Sequence, residues 1–441
     1  MKPYGRLLLG VLALCQVTLA NALPDIQSWN TDKGTRVLFV EAHELPMVDV
    51  RIVFDAGGAR DGGQPGIASL TNALLDQGAA GLNADQIAQG FEQLGSNLGS
   101  GSERDMAWVS VRSLTDSKLL KPSLELFGKV LTKPDFPQAD FLREQKRTLI
   151  GLEYQKQKPK SIASKAFYEG VYGDHPYAHD PSGTEDSVKA LSTDALRKFY
   201  QRYYVARNAT LVIVGDVTRK QAQSIAAGLA DALPEGEKAP ALPEVAELQA
   251  AQDRFIEHPT TQSHVLMGAP GVKRGDADYY TLYVGNHILG GSGLVSRISQ
   301  EIREKRGLSY SAYSYFLPMK RRGPYTLGFQ TRNDQRDEAL SVLRATLQAY
   351  IDKGPTGKEL KSSKNNIIGG FPLRVSSNGK IAEYLAVIGF YNLPLDYLSQ
   401  FTANIEAVTV DKIKDAYQRR VHPDRMVTIT VGGPSDNDPD S

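Results

Sequence analysis

The chain has 441 residues, of which 41% are hydrophobic and 23% are charged. This length exceeds one ordinary hydrophobic core and predicts two or more domains, and the composition excludes a largely disordered chain. Lys and Arg together number 51 against 50 for Asp and Glu. So balanced a charge gives no sign of nucleic-acid binding, and we expect no nucleic-acid partner.

The first segment, MKPYGRLLLGVLALCQVTLANA (residues 1–22), is typical of a secretory signal peptide. It has a basic start with Lys2 and Arg6, a short apolar run and a small-x-small end, Ala-Asn-Ala, at residues 20–22. The apolar run is too short to span a bilayer, and no other run is long enough. We therefore expect a periplasmic protein without a membrane span. Cys15, the only cysteine, lies in this segment, so the mature chain has no disulfide.

Two strand patterns, TRVLFVEA and VDVRIVFDAGG, open the mature chain. The next stretch, GIASLTNALLDQGA (residues 66–79), predicts a helix of small and aliphatic residues. It contains no His and no Cys, and its first carboxylate is Asp76. Further on, His175 and His179 are four residues apart, but Pro176 between them indicates a loop and not a metal-binding helix face.

The sequence repeats itself once. Ala190–Val217 matches Ala407–Pro434 at an offset of 217 residues, and both predict an amphipathic helix followed by an apolar strand that ends in Gly. Phe136–Gly151 matches Gly354–Gly369 at nearly the same offset. Two matches at a consistent offset indicate a tandem duplication.

These patterns predict an α+β fold of two tandemly duplicated, homologous domains, each a mostly antiparallel sheet covered by helices. We place the domains at residues 23–232 and 250–434. The Pro- and Glu-rich stretch LPEGEKAPALPEVAELQ (residues 233–249) is predicted to be an extended linker. The last residues, SDNDPDS (435–441), are predicted to be a disordered tail.

The most informative stretch of the second half is ILGGSGLVSRISQEIREKRGLSYSAYSYF (residues 288–316). A Gly-rich turn before a helix can cradle a phosphate, but that function needs a Lys at the helix start, and none is present. Phosphate binding therefore does not explain this stretch.

The duplicated halves, the linker and these motifs together resemble the pitrilysin-type zinc metallopeptidases, over about residues 37–433. The resemblance is strongest to short bacterial members and to subunits of the mitochondrial processing peptidase. In this family the helix after the second strand carries H-x-x-E-H. Its two His residues bind one Zn²⁺ from one helix face, and the Glu polarises the attacking water.

In this chain Ser69, Asn72 and Ala73 stand where the family has His, Glu and His. The family's further Glu ligand falls near Gly151, and Glu153 lies on a different helix face. The resemblance therefore implies no metal and no cofactor in this chain, with zinc expected in a partner subunit.

From residue 296 onward the second half matches the family's S-R-L-x-x-x-L-R-x-x-x-G-L-x-Y segment. The resemblance implies that Arg303 and Tyr310 reach a zinc site, bind substrate and help stabilise the oxyanion. It also suggests that Gly290, Gly291 and Gly293 form a substrate-binding loop, although an ordinary helix-entry turn explains them equally well. The alternative for the pair is that Arg303 forms a surface ion pair and Tyr310 fills the core.

The resemblance thus implies a non-zinc-binding subunit of a heterodimeric periplasmic metallopeptidase. Such a subunit has no autonomous activity. It supplies Arg303 and Tyr310 in trans to a zinc-bearing homologue and helps to enclose peptides or unfolded protein segments. The alternative is a non-enzymatic periplasmic peptide-binding or chaperone-like protein that has kept only the fold.

Overall fold

A computed structural model describes residues 25–434, so the predicted signal peptide (residues 1–22) and tail (residues 435–441) lie outside the described residues. The strands, in chain order, are β1 Gln27–Asn30, β2 Arg36–Glu41, β3 Met47–Phe54, β4 Gly78–Ala79, β5 Leu82–Asn83, β6 Asn97–Ser102, β7 Ala107–Leu114, β8 Ala209–Gly215, β9 Gln252–Glu257, β10 Gln262–Pro270, β11 Ser311–Phe316, β12 Pro324–Arg332 and β13 Val427–Gly432.

The helices, in chain order, are α1 Ile67–Ala73, α2 Ala84–Gln93, α3 Ser117–Thr132, α4 Gln138–Lys156, α5 Pro159–Tyr172, α6 Glu185–Ala190, α7 Thr193–Tyr203, α8 Arg219–Ala230, α9 Tyr279–Asn286, α10 Arg297–Ser299, α11 Arg336–Lys353, α12 Gly357–Arg374, α13 Asn378–Phe390, α14 Phe401–Glu406 and α15 Val410–Arg420. Within this part of the chain, no helix is both long and apolar enough to cross a membrane.

The first half contains a six-stranded sheet in the order β1-β2-β8-β3-β7-β6, and the second half a five-stranded sheet in the order β9-β13-β10-β12-β11. Each sheet has one parallel pair, β2 with β8 and β9 with β13, and its other pairs are antiparallel. The predicted α+β class with mostly antiparallel sheets is therefore confirmed.

The two sheets share one topology, because β2, β8, β3, β7 and β6 correspond in order to β9, β13, β10, β12 and β11. Helices α7 and α15 begin 217 residues apart, at the predicted offset, and each precedes the strand that pairs in parallel. Helices α4 and α12 likewise occupy equivalent places in chain order. The predicted tandem duplication is confirmed at the level of topology.

The halves exchange a helix. Helix α5 of the first half packs on β10 and β13 of the second sheet, and α13 of the second half packs on β8 and β3 of the first sheet. The sequence of α13, NGKIAEYLAVIGF, is apolar around most of its circumference, as expected for a helix buried between two layers. Strand β8 is fully buried for the same reason, since helices cover both faces of its sheet.

Glycines permit both helix–sheet crossings. A Cβ atom on Gly389 of α13 would lie 2.4 Å from Thr210 Cγ2, and one on Gly170 of α5 would lie 2.9 Å from Val427 Cγ1. Both distances are too short for non-bonded carbon atoms. Only glycine therefore lets each helix approach the sheet of the other half so closely.

The predicted linker has no helix or strand over residues 234–249, yet it is held firmly. Leu242 and Val245 are buried. The backbone of the linker accepts hydrogen bonds from two consecutive arginines of the second half. Arg321 Nε donates to Leu242 O at 2.7 Å, and Arg322 Nη2 donates to Val245 O at 2.9 Å. These contacts tie the linker to the loop between β11 and β12.

That same loop also contacts the first half through a buried polar network. The Asp55 carboxylate accepts two hydrogen bonds from Arg60, Nε to Oδ1 at 2.7 Å and Nη2 to Oδ2 at 2.8 Å, and forms an ion pair with Lys320 of the loop. Asp105 accepts from Lys320 N at 2.6 Å and from the hydroxyls of Tyr177 and Tyr391. Burial raises the pKa of Asp105, so these donors stabilise a carboxylate that is costly to bury.

We predict that Arg60→Met lowers the free energy of unfolding by about 3 kcal/mol, because it leaves the buried Asp55 carboxylate with Lys320 as its remaining cation. Urea unfolding followed by tryptophan fluorescence measures the change. The matched control is Arg207→Met, which breaks a pair with Glu237 in which the two side chains are 60% and 79% exposed. This control should cost less than about 1 kcal/mol. Equal losses in the two variants would contradict the prediction.

Candidate functional site

Helix α1, which occupies the place of the family's metal-binding helix, is held at its N-terminus by a buried carboxylate. Asp61 Oδ2 accepts from Gly66 N at 2.7 Å, and Asp61 Oδ1 accepts from Ala68 N at 3.0 Å. Gly66 has φ of 96°, a left-handed conformation that favours glycine. An anion at this end satisfies free N–H groups and complements the helix dipole.

His179 supports this cap. Its Nε2 atom lies 3.3 Å from Asp61 Oδ2 and 2.9 Å from Gly58 O. Burial alone lowers the pKa of His179, but the hydrogen bond to Asp61 and its negative charge outweigh burial and raise that pKa above the ordinary value of 6.5. His175 is bonded to the backbone of Tyr177 and, at 3.1 Å, to Pro243 O. Both His residues lie in a loop, as predicted.

The three side chains that replace the family's reactive groups pack as structural residues. Ser69 Oγ donates to Pro181 O at 2.8 Å. Asn72 is buried, and its Nδ2 atom lies 3.3 Å from both Trp108 O and Tyr204 Oη. Ser69 thus fastens α1 to the loop that follows α5, and Asn72 fastens it to β7 and the end of α7.

Beside α1 lies the first-half cleft, a cavity of about 350 Å³. Its lining residues come from α1 and the turn after it, from edge strand β6 and from α4: Ser69, Asn72, Ala73, Asp76, Gln77, Ser100, Gly101, Ser102, Glu144 and Arg147. The Glu144 carboxylate is nearly buried and lies 3.3 Å from Arg147 Nη1 and 3.9 Å from Arg143 Nε. It is therefore already paired with two cations.

This residue set does not fit zinc. A catalytic zinc takes three protein ligands, usually His or carboxylate. At the cleft, Ser69, Asn72 and Ala73 provide no such ligand, and Glu144 is occupied by arginines. Glu153 is 61% exposed and pairs with Lys156 at 2.9 Å. Across residues 25–434, no group of three or more His, Cys, Asp or Glu side chains is arranged to hold a metal.

The duplication places a second cleft, the second-half cleft, at the equivalent position of the other sheet. It is larger, about 810 Å³, and lies between α9, edge strand β11 and α12. Its lining is mostly aromatic or polar and includes Tyr279, Tyr283, Asn286, His287, Tyr313, Tyr315, Phe316, Asn366 and Arg374. Each cleft is therefore built from one helix, one edge strand and one long helix.

Gly290, Gly291 and Gly293 all line the second-half cleft. The first two do not form a loop, because they end a wide helical turn, His287–Gly291, that continues α9. A Cβ atom on Gly290 would lie 2.3 Å from Ser314 Oγ, so glycine is required where this turn meets β11. Gly293 follows this helical turn and has a left-handed backbone conformation, with φ of 63°.

His287 is fixed at the wall of the second-half cleft. Its Nδ1 atom lies 2.9 Å from Ser363 Oγ, and its Nε2 atom lies 3.1 Å from Asn366 Oδ1. Ser363 is buried and is not among the residues that line the cleft. The serine therefore orients the imidazole and has no access to a bound molecule.

Arg303 lies in a wide helical turn, Gln300–Glu304, that follows the short helix α10. That helix begins at Arg297 because the Ser296 side chain caps it, accepting from Ser299 N at 3.3 Å. The Arg303 side chain is 33% exposed, and its Nε atom is 3.6 Å from Glu304 Oε1, too far for a strong hydrogen bond. A guanidinium held so loosely is available to another ligand.

Tyr310 is 89% exposed, which excludes the alternative that it fills the core. The residues just before it are pinned. Leu308 is buried, with its N–H bonded to Ile302 O at 2.9 Å, and Ser309 Oγ donates to Gln330 O at 2.7 Å. The phenol therefore projects from a fixed turn. Neither Arg303 nor Tyr310 is among the residues that line the two clefts.

Sequence reasoning missed Glu144, Arg147 and the paired clefts. Glu144 precedes the expected ligand position, Gly151, by seven residues, or two helical turns, and therefore lies on the same face of α4. That spacing could have identified it. The second-half cleft left no comparable signal, because His287 and Asn366 are far apart in sequence.

Two family profiles match the chain. Residues 36–185 match the family described as insulinase (peptidase family M16), and residues 190–367 match the peptidase M16 inactive domain. The chain belongs to the M16 peptidase family, and the resemblance deduced from the motifs is confirmed.

Relatives of this chain include both peptidase-like and non-peptidase proteins. A crystal structure of a peptidase M16 inactive domain from Pseudomonas fluorescens is 40% identical, covers 94% of this chain and all of that one, and has a TM-score of 0.91. The non-peptidase homolog YmxG of Helicobacter pylori is 25% identical over 86% of this chain and 87% of its own. The uncharacterized zinc protease YmxG of Bacillus subtilis is 22% identical over 81% and 87%.

We predict that His179 stabilises the cap of α1 more strongly at low pH. Its pKa is raised in the folded state, so its contribution is complete below about pH 6.5 and is lost as pH rises through the folded-state pKa. The difference in unfolding free energy between wild type and His179→Gln should therefore shrink from about pH 6 to about pH 9. The other His residues cancel in this difference. A constant difference would contradict the prediction.

We also predict that the purified chain, treated with excess zinc and then passed through a desalting column, retains far less than one zinc ion per chain. Inductively coupled plasma mass spectrometry measures the retained metal. A zinc-bearing M16 peptidase treated identically is the control. Stoichiometric zinc in this chain would show that our account of the first-half cleft is wrong.

Proposed function

We propose that this chain is the non-zinc-binding subunit of a heterodimeric M16 metallopeptidase in the periplasm. Its first half has the shape of the metal site without the ligands. Its second half supplies Arg303 and Tyr310 in trans to the zinc site of a homologous partner. Zinc, the attacking water and its base belong to that partner.

The observation that carries this proposal is the exposure of Tyr310. A buried tyrosine in an otherwise intact motif would need no further explanation, but here 89% of the residue faces solvent at the end of a pinned turn. Arg303, seven residues earlier, has only a 3.6 Å contact with Glu304. A cation and a phenol held ready at the surface suit a site completed by a second chain.

The chemistry requires such donors. When water adds to a peptide carbonyl, negative charge develops on the carbonyl oxygen, and a preorganised donor there stabilises the transition state by roughly 2.7–4 kcal/mol. Arg303 offers charged N–H groups and Tyr310 one O–H group. The backbone before Tyr310 is pinned through Leu308 and Ser309, so the turn that carries the phenol does not have to rearrange when substrate binds.

Peptides or unfolded segments are the substrate class that this fold suits. Both clefts are bordered by the edge strand of a sheet, β6 in the first half and β11 in the second. An extended peptide can pair with such an edge through its backbone while aromatic side chains hold its side chains. The Gly290–Gly293 region and the tyrosines of the second-half cleft supply that surface here.

We predict that Arg303→Ala and Tyr310→Phe each lower kcat of the reconstituted heterodimer by about 10²–10³-fold without preventing assembly. The enzyme is this chain with a zinc-bearing M16 homologue from the same genome, assayed with a quenched fluorescent peptide, and assembly is measured by sedimentation. The control is Arg306→Ala, because Arg306 already bonds to Glu301 at 2.8 Å and should leave kcat unchanged.

The competing function, a non-enzymatic peptide-binding or chaperone-like protein, predicts a different result. In that case the chain alone suppresses aggregation of an unfolded protein, and no zinc-bearing homologue binds it. Unchanged kcat in both Arg303→Ala and Tyr310→Phe would exclude the trans-site mechanism even if a complex forms.

A further inference from the structure

A groove on the outer face of the first half is separate from both clefts. It lies between α3 and α8 and encloses about 710 Å³. Its floor is apolar and consists of Leu120, Leu124, Ile225 and Leu229. Among residues 25–434, no helix follows β13 in the way that α8 follows β8, so the described part of the second half has no equivalent groove.

The two rims of the groove differ in charge. Along α3, the groove is lined by Lys121, Lys129 and Lys133, and the α8 rim is uncharged. No ion pair of these lysines occurs among the residues that the structure describes. Glu125 is the only acidic lining residue, so the rim has a net positive charge.

We propose that this groove binds an acidic amphipathic helix of a partner protein. The backbone groups of α3 and α8 are engaged within those helices, so the groove offers an extended peptide no partners for its own backbone. A helix satisfies its backbone internally and needs only an apolar face for the floor. The apolar floor and the lysine rim together complement a helix that has one apolar face bordered by carboxylates.

The spacing of the lysines favours a helix over a lipid. Lys121 and Lys129 are eight residues apart on α3, or about 12 Å along its axis, and Lys133 lies farther along the same rim. A single lipid headgroup can reach only one of them. A helix with carboxylates eight residues apart, again about 12 Å, can meet two at once.

Gly228 provides a clean way to close the groove. It is exposed on α8, and a Cβ atom there would meet nothing within 4 Å. Gly228→Leu therefore narrows the groove from its rim, and its Cβ atom meets no neighbouring atom. It should also stabilise α8 slightly, because glycine is a poor helix former. The matched control is Gly357→Leu on α12, which is also exposed with open space around its Cβ position.

The experiment measures binding of the full chain to a fluorescein-labelled amphipathic peptide by anisotropy. The peptide has about 16 residues, the length of α3, with Leu on one face and Glu residues eight apart on its border. A second peptide carries Lys in place of every Glu. We expect the Glu peptide to bind at least about tenfold more tightly than the Lys peptide, and more weakly as salt rises.

Gly228→Leu should weaken binding of the Glu peptide at least about tenfold, and Gly357→Leu should not. The double variant Lys121→Glu, Lys129→Glu should reverse the preference between the two peptides, with thermal melts showing that the fold is kept. Equal binding by wild type and Gly228→Leu would overturn the proposal. Binding of anionic lipid vesicles without binding of the Glu peptide would also overturn it, as would self-association of the chain that Gly228→Leu abolishes.

Discussion

The exchange of one helix between the halves is the constraint on which the rest of the structure depends. Without α13 the first sheet would expose one face to water, and without α5 so would the second. Burial of apolar surface is the main favourable term in folding, so each sheet depends on a helix of the other half to bury its second face, although the first half also has an apolar core of its own. Close packing at Gly170 and Gly389 then fixes how the halves meet, and the network around Asp55 and Asp105 adds a polar lock to the same interface.

This rigid frame keeps α1 at the place of the family's metal-binding helix, although the side chains of α1 do not fit zinc. Helix α1 keeps its position because Asp61 holds its N-terminus and because Ser69 and Asn72 hydrogen-bond to neighbouring elements. Reactive side chains have been replaced by side chains that stabilise the helix. The carboxylate of Glu144, which also lines the first-half cleft, is paired with Arg147 and Arg143. The same frame also fixes the second half, where Arg303 and Tyr310 remain accessible.

The duplication gives the chain two clefts of one design with different linings. The first is small and polar, with serines and glycine along β6, and the second is larger and rich in tyrosine along β11. Both edge strands have unpaired backbone groups, which is the usual requirement for binding an extended peptide. The absence of metal ligands from the first-half cleft therefore leaves the edge strand and the tyrosines of the second-half cleft unaffected.

The sequence by itself determined the duplication, the α+β class and the loss of the metal ligands, because periodicity, offset and side-chain chemistry are local properties. It also identified Arg303 and Tyr310 as candidates, but it could not decide whether Tyr310 was buried. The tertiary structure alone showed the exposure of Tyr310, the position of Glu144 beside α1 and the contact of His287 with Asn366. Those facts depend on how distant segments pack, and packing is set by the whole core and not by neighbouring residues.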